Sequence, residues 1–149
     1  MRTVLFVVAG LLGAISTFAA EAPVRWSISL SKAEPKVGDE IELVVTAQIA
    51  PAWIVYGSDF TAELGPQPTQ IVLVPGESFR PLGPVVAVNA KQGRDKTWET
   101  NYTYFSARAE FRQKIKVLAV PIAVEANLKG QLCNERDGTC TLFKETLKL

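Results

Sequence analysis

The chain contains two cysteines, Cys133 and Cys140, with six residues between them in "LCNERDGTC". Three kinds of chemistry are open to such a pair: a structural disulfide, half of a metal clamp, or a dithiol that opens and closes by exchange with another protein. Histidine is absent from all 149 residues. That removes Ser-His-Asp and Cys-His catalysis and most zinc sites, which need further nitrogen or sulfur ligands. The sequence contains no glycine-rich phosphate loop, dinucleotide fingerprint or G-x-S-x-G elbow. No cofactor and no metal is expected. Sixteen basic against fifteen acidic residues leave no electrostatic footprint for nucleic acid. What remains is sulfur chemistry, structural or redox.

Compartment decides which of those is available. The chain opens "MRTVLFVVAGLLGAISTFAA", with Arg2 as a positive start, an apolar run from Val4 to Ile15, and small residues at Thr17 and Ala19. This is the pattern of a secretory signal peptide over residues 1–20, cut after Ala19 or Ala20. The apolar run is shorter than the roughly 20 residues that span a bilayer. Residues 21–149 are expected to form one domain with enough chain to build its own core. No later segment has the length and apolarity of a membrane span. The mature chain is expected to be periplasmic or secreted, where disulfides persist.

The elements that must position the sulfurs read as strands throughout. "VRWSISL" places Val24, Trp26, Ile28 and Leu30 on one face, and "IELVVTAQI" places Ile41, Leu43, Val45, Ala47 and Ile49 on one face. "WIVYGSDF" and "TQIVLV" are further extended runs. The prolines and glycines of "VPGESFRPLGP" confine that stretch to loop or sheet edge. In "AEFRQKIKVL" Phe111, Ile115 and Val117 share one face, while Glu110, Arg112, Lys114 and Lys116 form a solvated stripe on the other. Short strands with turns every ten or so residues predict an all-β, immunoglobulin-like antiparallel β-sandwich.

Strand phase then places the cysteines. On the penultimate strand the apolar set is Ile122, Val124, Ala126, Leu128 and Leu132, all even, and Cys133 is odd. On the last strand the set is Phe143, Leu147 and Leu149, all odd, and Cys140 is even. Side chains alternate between faces, so both sulfurs leave the core on the same outer side of one hairpin. An antibody-type staple between two sheets is excluded. A tight turn at Asp137-Gly138 would pair Cys140 with Glu135 and leave the sulfurs on a diagonal of about 7–8 Å. A wider loop, Asn134 to Thr139, would set them directly opposite. A disulfide there closes a short ring, contributing roughly 2.5 kcal/mol in the chain-entropy model. Two readings stay open: a reversible redox pair, or a structural surface disulfide on a non-catalytic immunoglobulin-like binding domain.

Three stretches carry a resemblance: "PAWIVYGSDF", "TWETNYTYFSARAEFRQKIKV" and the final "GQLCNERDGTCTLFKETL". Together they make nearly the whole mature chain similar to the N-terminal periplasmic domain of the bacterial thiol:disulfide interchange protein DsbD. The resemblance implies that Cys133 and Cys140 are a redox pair, part of a protein-disulfide reductase system. Electrons would come from a membrane or thioredoxin-like donor and leave to thioredoxin-like periplasmic proteins, including those of cytochrome c maturation. It implies Tyr56 near the site, with Ile54 where the family has a second tyrosine, and Trp98 at the place of the cap aromatic, where Tyr102 is expected to join it in shielding the sulfurs. Two departures stand out. The family's best-known members have five residues between the cysteines. This chain has no C-x-x-C and no membrane electron carrier, so the donor is expected to be a separate protein. The loop residues Glu135, Arg136 and Asp137 sum to a charge of −1, which gives no strong push of a thiol pKa below about 8.5. Trp98, Tyr102, Tyr104 and Phe105 are candidates to shield the sulfurs, unless alternate members belong to the core.

Overall fold

The computed structural model describes residues 22–61 and 63–149; the expected signal peptide lies outside them. Eleven strands follow in order: β1 (Val24–Leu30), β2 (Glu40–Ile49), β3 (Trp53–Tyr56), β4 (Gln70–Leu73), β5 (Phe79–Pro81), β6 (Val86–Ala87), β7 (Lys91–Arg94), β8 (Asn101–Ser106), β9 (Arg108–Val117), β10 (Glu125–Asn134) and β11 (Cys140–Lys148). They form two antiparallel sheets, an all-β sandwich of the immunoglobulin-like kind. The first sheet runs β1-β2-β9-β5, with β6 also on β9. The second runs β11-β10-β3-β8-β7, with β4 also on β10.

The alternation read from the sequence is the alternation of burial. Ile41, Leu43, Val45, Ala47 and Ile49 of β2 are all buried, as are Phe111, Ile115 and Val117 of β9. From the second sheet Val55, Phe105, Ala126, Leu128 and Leu132 meet Val45, Ala47, Ile49 and Phe111, while Ile41, Leu43, Ile115 and Val117 pack with Phe79 and Val124. Trp26 joins the layers, its ring 5.1 Å from Phe143 and 6.2 Å from Phe111. Burying such side chains stabilises the fold by about 1.5–3 kcal/mol each. The proline-rich stretch around Phe79 is an edge, as its composition demands: β5 has three residues and, among the described residues, pairs only with β9. Part of the predicted charged stripe on β9 is an ion-pair network, with Arg112 bonded to both Glu42 and Glu110 at 2.7 Å.

Phe143 and Leu147 of β11 turn inward, half-buried, while the terminal Leu149 is 44% exposed. The inward phase predicted for this strand therefore fades just past β11, at Leu149, although its backbone still exchanges both hydrogen bonds with Val124. No helix among the described residues is long and apolar enough to cross a membrane.

Candidate redox site

β10 is bonded on both sides, to β11 along its whole length and to β3 and β4 on its other edge. Cys133 lies opposite Ile54 on one side and opposite Cys140 on the other. The two cysteines are bonded, with Cα atoms 4.1 Å apart, the close spacing of a non-hydrogen-bonded antiparallel pair. Direct opposition selects the wider loop over the tight Asp137-Gly138 turn. Asn134 N donates to Thr139 O at 2.8 Å and Gly138 N to Asn134 O at 2.9 Å. Gly138 takes the left-handed conformation at φ 73°, which a residue without Cβ adopts at little steric cost. Asp137 Oδ1 accepts Thr139 N at 2.8 Å, and that backbone bond holds its carboxyl below the usual range. Glu135 N donates to Ala52 O at 2.8 Å and ties the loop to the turn before β3. The loop is thus held by bonds that do not involve sulfur.

The outer direction expected for both sulfurs holds, but the two environments differ. Cys140, on the edge strand, is exposed; Cys133, flanked by strands on both sides, is only 7% exposed. The outer face of the second sheet has a small cover of its own. Ile54 and Tyr56 are buried with Cys133, and Phe60, Tyr102 and Tyr104 pack around them. The Tyr56 ring stands edge-on to Tyr102 at 5.3 Å and to Phe60 at 6.4 Å, a favoured aromatic geometry. Gly93, opposite Tyr102 in the ladder, makes room for that ring: a Cβ there would lie 2.4 Å from a Tyr102 ring carbon.

Two donors converge on Cys133. Tyr56 Oη donates to its Sγ at 3.5 Å, and Gln131 Nε2 donates to the same atom at 3.5 Å. Gln131 is itself oriented, its Oε1 accepting Gln67 N at 3.0 Å. Burial pushes the Tyr56 phenol up to about 12, helped by the neighbouring Tyr102, Asp95 and Glu135. Burial raises Tyr102 as well. Tyr56 therefore keeps its proton, and its donor role, throughout the physiological range. Donors aimed at a sulfur stabilise it as a thiolate, the form that leaves when a disulfide is attacked.

Of the residues expected at the site, Cys133, Cys140, Tyr56 and Tyr102 come together. Trp98 stands in the turn between β7 and β8, its backbone N bonded to Asp95 Oδ1 at 2.9 Å. It is 50% exposed and packs beside Gly65, outside the set of ring contacts that joins Tyr56, Phe60, Tyr102 and Tyr104. The strand alternation divides the aromatic run: Tyr102 and Tyr104 face outward, whereas Phe105 enters the main core against Phe111 at 5.2 Å. Gln131, Phe60 and Gly93 were not anticipated. Gln131 carries a usable signal, since it lies two residues before Cys133 and so shares its face. Phe60 follows β3 in a loop and carries none.

No protein-family model and no curated protein matches the chain. Among solved structures, the chain is similar to the reduced N-terminal domain of Neisseria meningitidis DsbD, with a TM-score of 0.53 and 16% identity. The match covers 83% of each chain. It is also similar to the N-terminal periplasmic domain of ScsB from Proteus mirabilis, with a TM-score of 0.48 and 14% identity over 85% of this chain and 44% of that one. The described sandwich, with its cysteine pair on the last hairpin, has the fold of the DsbD N-terminal domain.

Proposed function

We propose that this domain exchanges its Cys133–Cys140 disulfide with the dithiols of thioredoxin-like periplasmic proteins. It thereby relays electrons from a separate membrane or thioredoxin-like donor to periplasmic oxidoreductases. The observation that carries this reading is the asymmetry of the pair: an exposed sulfur on an edge strand joined to a buried one that receives two hydrogen bonds. A donor thiolate attacks Cys140 Sγ in line with the sulfur–sulfur bond. That bond breaks and its electron pair goes to Cys133, where Tyr56 and Gln131 stabilise the charge until a proton arrives. The donor's second thiolate attacks the mixed disulfide, releases Cys140 as thiolate and leaves the donor oxidised. Two electrons have then moved. The reverse sequence, with Cys140 attacking an acceptor's disulfide and Cys133 resolving the adduct, passes them on.

Shielding belongs to the same reading. Tyr56 bonds to Cys133, Tyr102 backs the Tyr56 ring and is assigned to the cap with it, and Trp98, on the turn leading into β8, is assigned the outer guard of the approach. A structural disulfide on a binding domain has no use for this arrangement, because the hairpin loop is already closed by backbone bonds.

The roles are tested by trapping. With Cys133→Ser, Cys140 is expected to form a long-lived mixed disulfide with oxidised thioredoxin-like proteins on a non-reducing gel, since the resolving thiol is gone. Cys140→Ser is expected to trap little. Equal trapping by both variants overturns the role assignment, and trapping by neither favours the binding domain.

A further inference from the structure

The outer face of the β10–β11 hairpin is a ladder of facing pairs that begins at the disulfide. Below Cys133 and Cys140 come Gln131 opposite Leu142, Lys129 opposite Lys144, Asn127 opposite Thr146, and Glu125 opposite Lys148. The last two rungs are complementary: Thr146 donates to Asn127 at 2.8 Å, and Lys148 pairs with Glu125 at 3.1 Å. The Lys129–Lys144 rung is not. Like charges directly opposite destabilise a sheet, and neither lysine has an ion-pair partner among the described residues. Between this rung and the disulfide, Leu142 is 71% exposed. The two lysines and Leu142, with Gln67, Pro68 and Gln70, line a groove of about 540 Å³.

Position makes the mismatch informative. Four residues along a strand advance about 13 Å, which is the distance along the hairpin from the sulfurs to the lysine rung. A protein docking on the disulfide covers about 800 Å², a patch roughly 16 Å in radius if centred there. Any partner whose sulfur reaches Cys140 while lying along the hairpin therefore covers Leu142 and the lysines together. We propose that this face is the docking surface for a thiol-bearing protein with an acidic side chain about 13 Å from its reactive sulfur. The carboxylate settles between Lys129 and Lys144 and neutralises the unpaired rung, and an apolar patch beside the partner's cysteine covers Leu142. The inference rests on the thiol-exchange reading of Cys140 and names the kind of partner that reading requires.

The test separates docking from chemistry. Wild type and Lys144→Glu are compared with a reduced thioredoxin-like protein bearing acidic residues at that distance, with the same protein carrying amides there, and with dithiothreitol. Lys144→Glu turns the like-charged rung into a complementary one, so its fold is expected to be at least as stable. Exchange with the acidic partner is expected to slow about tenfold at low salt in the variant, and to lose its salt dependence. Reduction by dithiothreitol at 0.1 M salt is expected to be nearly unchanged, because its small thiolate attacks about 13 Å from the substituted charge, beyond the roughly 10 Å screening length. Equal rates with the acidic and amide partners, or no effect of Lys144→Glu, overturn the inference while leaving exchange intact. Binding of the same partner with its cysteines changed to serine supplies the second readout. If wild type exchanges with no such protein yet binds this form in a salt-dependent way that Lys144→Glu abolishes, the surface stands and the exchange reading fails. If it neither exchanges nor binds, both fall.

Discussion

The two faces of the second sheet bury side chains for different ends. The inner face meets another sheet, and its Val55, Phe105, Leu128 and Leu132 interdigitate with Val45 and Phe111 across the sandwich. Among the described residues the outer face meets no sheet. There one layer of rings, Tyr102 and Tyr104 with Phe60, packs against a small cluster of Ile54, Tyr56 and Cys133. The inner layer supplies apolar area, which is the dominant stabilising term. The outer layer supplies little area but places a hydroxyl and an amide on Cys133. Stability and sulfur control are thus separable across one sheet, and each can be disturbed alone.

Four measurements break or sharpen that separation. The largest effect is expected on the inner face. Phe111→Ala removes a ring 1% exposed that contacts both Trp26 and Phe105. It is expected to cost about 3–5 kcal/mol in denaturant unfolding, while the disulfide of the remaining folded fraction keeps its potential. A shifted potential there would show that the faces are coupled. Next comes the disulfide. Its short ring gives a contribution of about 1–3 kcal/mol, so the reduced domain is expected to unfold cooperatively at a lower denaturant midpoint. Loss of cooperativity on reduction would make the bond a major staple.

Tyr56→Phe keeps the ring and removes the donor to Cys133. It is expected to cost about 1 kcal/mol, the usual worth of one hydrogen bond, and to slow reduction by a thioredoxin-like protein severalfold by weakening the leaving thiolate. The raised phenol pKa adds a signature in alkali. Below the ordinary value near 10 the phenol is protonated in both folded and unfolded chains, so its contribution is fully present there. As pH rises from 10 through about 12 only the folded chain holds the proton, and that stability is lost. Tyr56→Phe is expected to lack this component, and identical alkaline profiles would remove Tyr56 from the account. The smallest effect belongs to Trp98→Ala. Half-exposed in its turn, Trp98 is expected to contribute less than about 1 kcal/mol. Its loss is nevertheless expected to speed reduction of the disulfide by a small thiol. Unchanged reduction kinetics would withdraw its guard role.

How far the sequence reaches follows the same division. Inward residues of β2, β9 and β10 are legible because a period of two is a local property that burial of one face enforces. The outward phase of the cysteines follows from that period as well. Burial of Cys133 does not, because it depends on β3 lying against β10, a pairing between segments nearly eighty residues apart. Choosing between the tight turn and the wide loop needed the position of β11, since Asp137-Gly138 suits either. Tyr102 and Tyr104 separate from Phe105 by parity alone. Phe60 arrives from a loop with no parity to read.

Gly93 offers a lesson in substitution. A glycine on an outer strand is ordinarily a place where side chains can be added freely. Here the missing Cβ is the seat of the Tyr102 ring, so the surface of β7 is shaped by a side chain that belongs to its neighbour. Any larger residue at that position forces the ring to shift, and with it the edge contact to Tyr56, without touching either cysteine. Scans that rank positions by their own contacts will score it as tolerant, and the defect will surface first in the reactivity of a sulfur three strands away.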